Sequence, residues 1–336
     1  MIPTSLPPEL TQAVQPADFS PSPNQVADFD RPETKEVIKQ FLLRQFVKKE
    51  IRENEQLNIL TDVTLYDMQT GRTILGHNES TPHFAASINK LPVTLLLLRN
   101  LQANTVTLDT TVTWQESDRR AGNGIYDQPG VYQATVGQVL HDMLNRSGNT
   151  AVRILVNGVL GGPYAVNERL AQIPELEHTR LIPLDSNRFY LGNTTSKEAL
   201  FVLRELMAED ASYTRIIKQF LATNIFVNDG VRSQLAGNDY ILLVNKTGLL
   251  YDPDGNNHHD VGIIYNQKTG KSYGYSFLNT APSDSADADT RAQQSNKDMG
   301  KYTLRFSGDK PVPGSAQQQP QTLRQQQLVP EIKMLY

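Results

Sequence analysis

The order of residue patterns along the chain is the feature that most constrains its fold. Apolar and polar residues alternate around Val63 and Leu65, and a turn ending at Gly71 follows, which predicts a strand hairpin early in the chain. Strand patterns return only at 240–244, 261–266 and 271–278. The long stretch between them has apolar residues at helical spacing. The first and last strands are therefore expected to share one sheet around an inserted helical region.

The two ends of the chain differ in composition from its middle. Residues 1–33 are rich in Pro, Ser, Asn and Asp and predict a flexible leader or linker, and the Gln- and Pro-rich residues 307–336 predict a disordered tail. A helix is expected over 34–53. It would bury one face formed by the apolar residues Val37, Ile38, Phe41, Leu42 and Phe46.

Composition and charge argue against several classes of protein. The net charge of −4, without a basic cluster, makes nucleic acid an unexpected partner. No apolar run is long enough to cross a membrane, and the absence of cysteine excludes thiol catalysis and disulfides. His258, His259 and Asp260 are adjacent and predict a polar loop before a strand rather than a metal site. We expect neither a metal nor a cofactor.

A serine and a lysine lie three residues apart at the start of an apolar helix. Ser87 and Lys90 would share one face of that helix, where a lysine held neutral by desolvation can take the proton of a serine nucleophile. An ordinary helix start with a solvated lysine explains the same pattern. Ser307 and Lys310 repeat the spacing without an apolar helix behind them, so the surroundings have to decide.

Two further triplets have both a chemical and an ordinary explanation. Ser147-Gly148-Asn149 lies between two predicted helices, where it either projects polar groups into a cleft or caps a helix. Lys246-Thr247-Gly248 follows the strand 240–244, where it either binds a carboxylate or ends the strand with a solvated lysine. Lys268-Thr269-Gly270 has the same letters but lies between two strands and predicts a hairpin turn.

The three triplets occur in the order Ser-x-x-Lys, Ser-x-Asn and Lys-Thr-Gly, each in a suitable local structure. In this the chain resembles the serine β-lactamase and penicillin-binding protein superfamily, and within it the class A β-lactamase-like branch, from about residue 34 to 306. The resemblance implies an α+β fold in which an antiparallel sheet is flanked by helices. It further implies an α/β subdomain over 34–83 and 225–306, and an all-helical subdomain over 84–224, with the active site between them.

The resemblance also implies a role for each matching residue. Ser87 would attack the carbonyl carbon, Lys90 would take its proton, and Ser147 would protonate the leaving nitrogen. The other expected contacts are Asn149 to Lys90 and the substrate amide, Lys246 and Thr247 to the substrate carboxylate, and the N–H groups of Ser87 and Leu249 in the oxyanion hole. From the residues alone, Gly248 would let the ligand backbone approach closely, and Tyr126 and Tyr132 either line the cleft mouth or are ordinary surface tyrosines in a loop.

Two positions depart from the class A pattern. Gly148 stands where class A enzymes usually carry aspartate. The loop 181–189 has no glutamate to activate the deacylating water, and Asp185 stands at the equivalent position. Its carboxylate is one methylene shorter, so Asp185 is either a weaker catalytic group or a loop cap. If deacylation is slow, the protein would hold β-lactams covalently instead of destroying them.

Three functions therefore remain open at this stage. They are a β-lactam hydrolase with weak deacylation, a D-alanyl-D-alanine carboxypeptidase or transpeptidase acting on peptidoglycan, and a catalytically silent protein that only binds ligands. Substrates of these kinds imply an extracytoplasmic location, with the export signal or anchor absent from this chain. We expect a monomer.

Overall fold

The computed structural model describes residues 32–208 and 211–308. Most of the predicted leader and tail lie outside these residues. On the described side both boundaries shift slightly, because Pro32 begins the first helix and Ser307 ends the last one. The described residues divide into a unit that ends at Leu42 and a unit that begins at Leu43, and the site described below lies wholly in the second.

The described residues form eight α-helices. None of them is both long enough and apolar enough to cross a bilayer. Their bounds are α1 Pro32–Glu55, α2 Lys90–Gln102, α3 Val136–Asn145, α4 Asn149–Gly158, α5 Pro163–Leu170, α6 Ser196–Met207, α7 Ser212–Ala222 and α8 Ala286–Ser307.

A five-stranded sheet joins the beginning and the end of the described chain. Its order is β2-β1-β10-β9-β8, and every neighbouring pair is antiparallel. The predicted sheet around an inserted helical region is thereby confirmed, as is the α+β class. The strands are β1 Leu60–Asp67, β2 Arg72–His77, β8 Ile241–Asp252, β9 Gly255–Asn266 and β10 Ser272–Ala281.

Both faces of this sheet are buried, because apolar residues point to each side of its inner strands. Val261 and Ile263 of β9 pack into the core formed with the inserted helices. Ile264 packs on the opposite side with Met299 of α8 and Val47 of α1. The sheet is therefore held rigidly between two layers, and its edge strand β8 forms a fixed wall for the cleft described below.

Helix α1 forms as predicted but buries a different face. Leu43, Val47 and Ile51 are buried, at a spacing of four residues. Two apolar stripes overlap in this sequence, and periodicity alone does not show which of them meets the sheet. The predicted stripe is the exposed one, and its members are Val37, Ile38, Phe41, Leu42 and Phe46.

The region predicted to be all-helical, 84–224, also contains strands, so that prediction is wrong in this respect. A small sheet has the order β3-β7-β6, and β4 pairs with β5. The strands have two to six residues, too few for an alternating pattern to stand out. Their bounds are β3 His83–Phe84, β4 Thr111–Thr113, β5 Gln133–Thr135, β6 Arg180–Pro183 and β7 Phe189–Thr194.

Candidate active site

Ser87 lies in a short 3₁₀ turn, Ala86–Asn89, that leads directly into α2. The α-helix begins at Lys90, which places Pro92 in its first turn, where the missing N–H is unused in any helix. Ala86 has a φ of 45°, in a region that residues with a side chain rarely adopt. Backbone strain of this kind concentrates at functional sites, and here it lies next to the predicted nucleophile.

Ser147 lies at the junction between α3 and α4, also with a positive φ, of 58°. This turn directs two of its oxygens at one amine, because Lys90 Nζ lies 2.6 Å from the Ser147 carbonyl oxygen and 3.0 Å from its Oγ. Asn149 begins α4, and its Oδ1 lies 2.9 Å from the same amine. The junction therefore supplies three of the oxygens around Lys90 Nζ.

Strand β8 brings the third triplet to this junction. The strand is longer than predicted and contains Lys246, whose Nζ lies 2.9 Å from Ser147 Oγ and 2.7 Å from the Thr247 carbonyl oxygen. Space favours glycine at Gly248, because a Cβ there would lie 3.0 Å from Ile88 Cγ1. The 3₁₀ turn leads directly into α2. The close approach of β8 to this turn therefore fixes the distance between Lys246 on β8 and Lys90 at the start of α2.

Lys90 Nζ has more oxygen neighbours than the three N–H groups of an ammonium can donate to. Ser87 Oγ lies 2.9 Å away, which makes a fourth oxygen within 3.0 Å. Two of the four, the Ser147 carbonyl and Asn149 Oδ1, can only accept hydrogen bonds. A neutral amine has two N–H groups for these acceptors and keeps a lone pair for a hydroxyl proton. The geometry thus suits Lys90 as a base toward Ser87.

Burial favours the neutral form of both lysines. Lys90 is fully buried, and this desolvation lowers its pKa to about 7, although the carboxylates of Asp127 and Asp142 act in the opposite direction. Burial, followed by repulsion from Lys90, lowers the pKa of Lys246 well below its ordinary value. A ligand carboxylate next to Lys246 would favour its charged form.

Two buried aspartates fix the junction and the loop above it. Asp127 accepts a hydrogen bond from the backbone N–H of Thr150 at 2.7 Å, and so ties the loop to the start of α4. Asp142 accepts from the N–H of Ile125 at 2.7 Å. A Cβ on Gly148 would overlap Asp142 Oδ2. A carboxyl group from α3 thus fills the space beside Gly148.

Most of the predicted site residues line one cleft of about 770 Å³ between β8, α4 and the 3₁₀ turn. The buried amines of Lys90 and Lys246 lie against Ser147 at its base. The role of the Leu249 N–H in an oxyanion hole stays a prediction. The predicted residues that line the cleft are Ser87, Ser147, Asn149, Thr247, Gly248 and Leu249.

The prediction for Tyr126 is wrong. Its side chain is buried in the core and packs edge-on against Trp114, with ring centroids 5.1 Å apart, and it does not line the cleft. A tyrosine in a loop can bury its ring in the core or line a cleft, and the sequence around Tyr126 does not distinguish the two.

Asp185 does not line the cleft either, so the structure contradicts its predicted catalytic place and favours the loop-cap alternative. Its Oδ1 accepts hydrogen bonds from the N–H groups of Asn187 at 2.9 Å and Arg188 at 2.7 Å, and its Oδ2 pairs with Arg188 Nε. These backbone hydrogen bonds, together with the Arg188 side chain, lower the pKa of Asp185 to about 2. The carboxylate is fully used in shaping its own turn.

Replacing Asp185 with alanine is therefore expected to leave β-lactam chemistry within about twofold of the wild-type rates, since surface substitutions outside the site have small effects. The measurement is the rate of adduct formation and the rate of adduct loss, both followed by intact mass. Loss of deacylation in this variant alone would show that Asp185 takes part after all.

His258, His259 and Asp260 lie within β9, not in a loop as predicted. His258 Nε2 lies 2.7 Å from Asp289 Oδ1, and His259 Nε2 lies 2.9 Å from the Phe84 carbonyl oxygen. Asp260 Oδ2 accepts from a backbone N–H at 2.8 Å. Each side chain has its own partner, and alternation along a strand sends neighbours to opposite faces.

Two arginines that line the cleft were missed from the sequence. Arg120 lies in the irregular loop between β4 and β5, and Arg153 follows Asn149 by four residues on α4. The i, i+4 spacing places Asn149 and Arg153 on one helical face, which is the pattern that would have found Arg153. Nothing comparable distinguishes Arg120 in its irregular loop.

The fold and the serine, paired-lysine site define a serine hydrolase of the β-lactamase type. The chain belongs to the beta-lactamase enzyme family, whose sequence profile matches residues 43–303. A search of curated proteins found no match.

Solved structures share the fold at low sequence identity. A beta lactamase from Burkholderia vietnamiensis is 20% identical, with a TM-score of 0.66, over 80% of this chain and 97% of that one. The class A beta-lactamase from Mycobacterium abscessus is 21% identical, with a TM-score of 0.64, over 79% and 100%. A mutant of PBP-A, solved as an acyl-enzyme complex with penicillin G, is 17% identical, with a TM-score of 0.63, over 80% and 96%.

Proposed function

We propose that the protein reacts with β-lactams to form an acyl-enzyme at Ser87 and releases the product slowly. The observation that carries this proposal is the 2.9 Å contact between Ser87 Oγ and the buried Lys90 Nζ, whose pKa is lowered to about 7. A base with this pKa is half neutral near physiological pH, where it is most effective in proton transfer.

The contacts support a complete path for the proton during acylation. Neutral Lys90 takes the proton from Ser87 Oγ as this oxygen bonds to the lactam carbonyl carbon. The C–N bond then breaks, and the nitrogen takes a proton from Ser147 Oγ. Lys90 Nζ lies 3.0 Å from Ser147 Oγ and returns a proton to it, so Lys90 is neutral again when the ester has formed.

Slow deacylation is proposed because the α4 wall of the cleft carries no carboxylate among the described residues. Hydrolysis of the ester needs a base to activate water. The carboxylates that line the cleft are Asp229 and Asp252. Asp229 favours the charged form of Lys246 on the β8 side, and Asp252 ends β8, roughly 20 Å beyond Lys246 along an extended strand. The opposite wall carries Arg120 and Arg153 instead.

The test is intact mass after mixing with benzylpenicillin. We expect a gain of one penicillin mass that persists after the free drug is removed, and no gain in the Ser87→Ala variant. Rapid return to the unmodified mass with conversion of the drug would show an efficient hydrolase. An unchanged wild-type mass together with unchanged drug would favour the silent binding protein.

A second candidate is a D-alanyl-D-alanine carboxypeptidase or transpeptidase. It is favoured by the extent of the cleft, which continues along β8 from Thr247 to Asp252 and so offers strand-like contacts to a peptide. Release of D-alanine from a muropeptide, absent in Ser87→Ala, would support it. Either substrate class leads us to propose an extracytoplasmic location, to be tested by cell fractionation.

A further inference from the structure

Arg153 is a buried cation at the cleft without a carboxylate partner among the described residues. Only 6% of its surface is exposed, yet it lines the cleft. Within the part of the chain that the structure describes, its one hydrogen bond is a long contact, 3.5 Å from Nη2 to the Phe189 carbonyl oxygen, and no ion pair reaches it. Buried charges are ordinarily paired, so this guanidinium has unused capacity for an anion.

Arg120 is a second cation at the same end of the cleft. Among residues 32–208 and 211–308, its Nη1 donates to backbone carbonyls only, those of Arg119 at 2.5 Å and Ser117 at 3.4 Å. Burial, followed by repulsion from Arg120, lowers the pKa of Arg153 to about 10, so Arg153 stays charged at neutral pH. An anion in this place would relieve both the burial and the repulsion.

The nearby carboxylates do not neutralise the pair. Asp118 and Asp185 both favour the charged form of Arg153, but neither forms an ion pair with it. Asp185 is paired with Arg188, and Asp118 accepts the N–H of Gln115 at 3.0 Å. The arginines therefore form a positively charged end of the cleft.

The ligand orientation expected from Asn149 puts this end on the acyl side of the scissile bond. Arg153 is one helical turn beyond Asn149, or about 6 Å between Cβ atoms. Asn149 is the residue expected to hold the substrate amide on the acyl side, whereas Lys246 and Thr247, expected to hold the leaving-side carboxylate, lie on β8. A group attached to the acyl side would reach Arg153 within one turn of α4.

We propose that Arg153 and Arg120 form a subsite for a second anionic group, a carboxylate on the acyl portion of the substrate. The preferred ligand is then doubly anionic, with one carboxylate at Lys246 and Thr247 and another at the arginines. Guanidinium groups suit this task because their planar donors match a carboxylate in a bidentate arrangement. This inference rests on the proposed acylation at Ser87 for the orientation of the ligand.

The test compares benzylpenicillin with carbenicillin, which differs only by a carboxylate on the α carbon of its side chain. The second-order rate of acylation is measured for both by intact mass, and the ratio of carbenicillin to benzylpenicillin is the readout. We expect Arg153→Gln to lower this ratio about tenfold or more, the usual effect of losing a hydrogen bond to a charged group. Arg120→Gln should lower it in the same direction, and Arg153→Lys should restore part of it.

Arg99→Gln is the matched control, because Arg99 is exposed on α2 and does not line the cleft. Its ratio should equal that of the wild type. Arg153 also packs over the Phe189 ring at 5.5 Å, so a purely structural role would slow both drugs equally or lower the unfolding temperature. An unchanged ratio in Arg153→Gln and Arg120→Gln would overturn the proposal, and Arg120→Gln alone decides if Arg153→Gln does not fold.

Failure of the subsite and failure of the proposed function give different results. If neither drug forms an adduct with the wild type, the proposed function fails. The subsite is then still tested by calorimetry on the Ser87→Ala protein. The equilibrium affinities for carbenicillin and benzylpenicillin are measured with and without the added Arg153→Gln substitution, and their ratio is compared. Equal affinities for the two drugs, insensitive to Arg153, would refute it.

Discussion

Replacement of Lys90 by methionine is expected to slow acylation by benzylpenicillin by about 10²–10⁴-fold, the range that general base catalysis contributes. Methionine keeps most of the buried volume of the lysine stem and removes the amine. The wild-type acylation rate should rise with pH through about 7, because the amine is protonated and inactive as a base below its pKa. The variant should lose this rise.

The rate constant is measured by intact mass over a pH range that brackets the pKa of Lys90, with folding checked by circular dichroism. Lys197→Met is the control, since Lys197 is exposed on α6 and does not line the cleft. A wild-type rate that does not change over this range, or a Lys90→Met variant that acylates normally, would show that Lys90 is not the base.

The Gly148→Asp substitution, which installs the residue usual in class A enzymes, is expected to destabilise this protein by about 3 kcal/mol, at the upper end for overpacking. The backbone itself does not require glycine, because φ at Gly148 is −53°. The cause is space and charge: a new Cβ would overlap Asp142 Oδ2, and two buried carboxyl groups would then be neighbours. The unfolding temperature should fall by about 5–10 °C.

The double variant that combines Gly148→Asp with Asp142→Ala provides the control. Asp142→Ala removes the carboxyl group that occupies this space, so the double variant should recover much of the stability and acylation that Gly148→Asp alone loses. Both are measured by thermal unfolding and by the rate of adduct formation. If Gly148→Asp is as stable as the wild type, or if the double variant is worse than each single one, Asp142 does not substitute for a side chain at Gly148.

The sequence was sufficient for the parts of the site that local pattern determines. Ser87 lies in the 3₁₀ turn that leads into the helix begun by Lys90, so their three-residue spacing was enough to predict the contact between Ser87 Oγ and Lys90 Nζ. That Lys246 reaches Ser147 depends on β8 passing close to the 3₁₀ turn, which only the order of the triplets and the family resemblance suggested. Residue spacing therefore predicted which side chains within one segment are neighbours. The family resemblance predicted that the three distant triplets meet in one site.

The errors arise where three-dimensional packing decides between equal patterns. The segment around Tyr126 has the composition of an exposed loop, but Trp114 from a different part of the chain packs against the tyrosine ring. Counting along the loop gives Asp185 a catalytic place, although its own N–H neighbours and Arg188 use its oxygens. The lack of a partner for Arg153 is visible only when every neighbouring carboxylate of the described residues is located.

The pairing of β1 with β10 has a consequence for how the chain folds. Leu60 pairs with Thr280, so the first hairpin has to find a partner strand that lies beyond the whole inserted region. Contacts between residues this distant in sequence cost chain entropy before they stabilise the structure, and this slows folding. The contacts among the inserted helices are more local in sequence. These helices can therefore pack around Leu96 and Leu140 first. The catalytic groove is consequently among the last features to form during folding, since its β8 wall belongs to the sheet that these distant contacts complete.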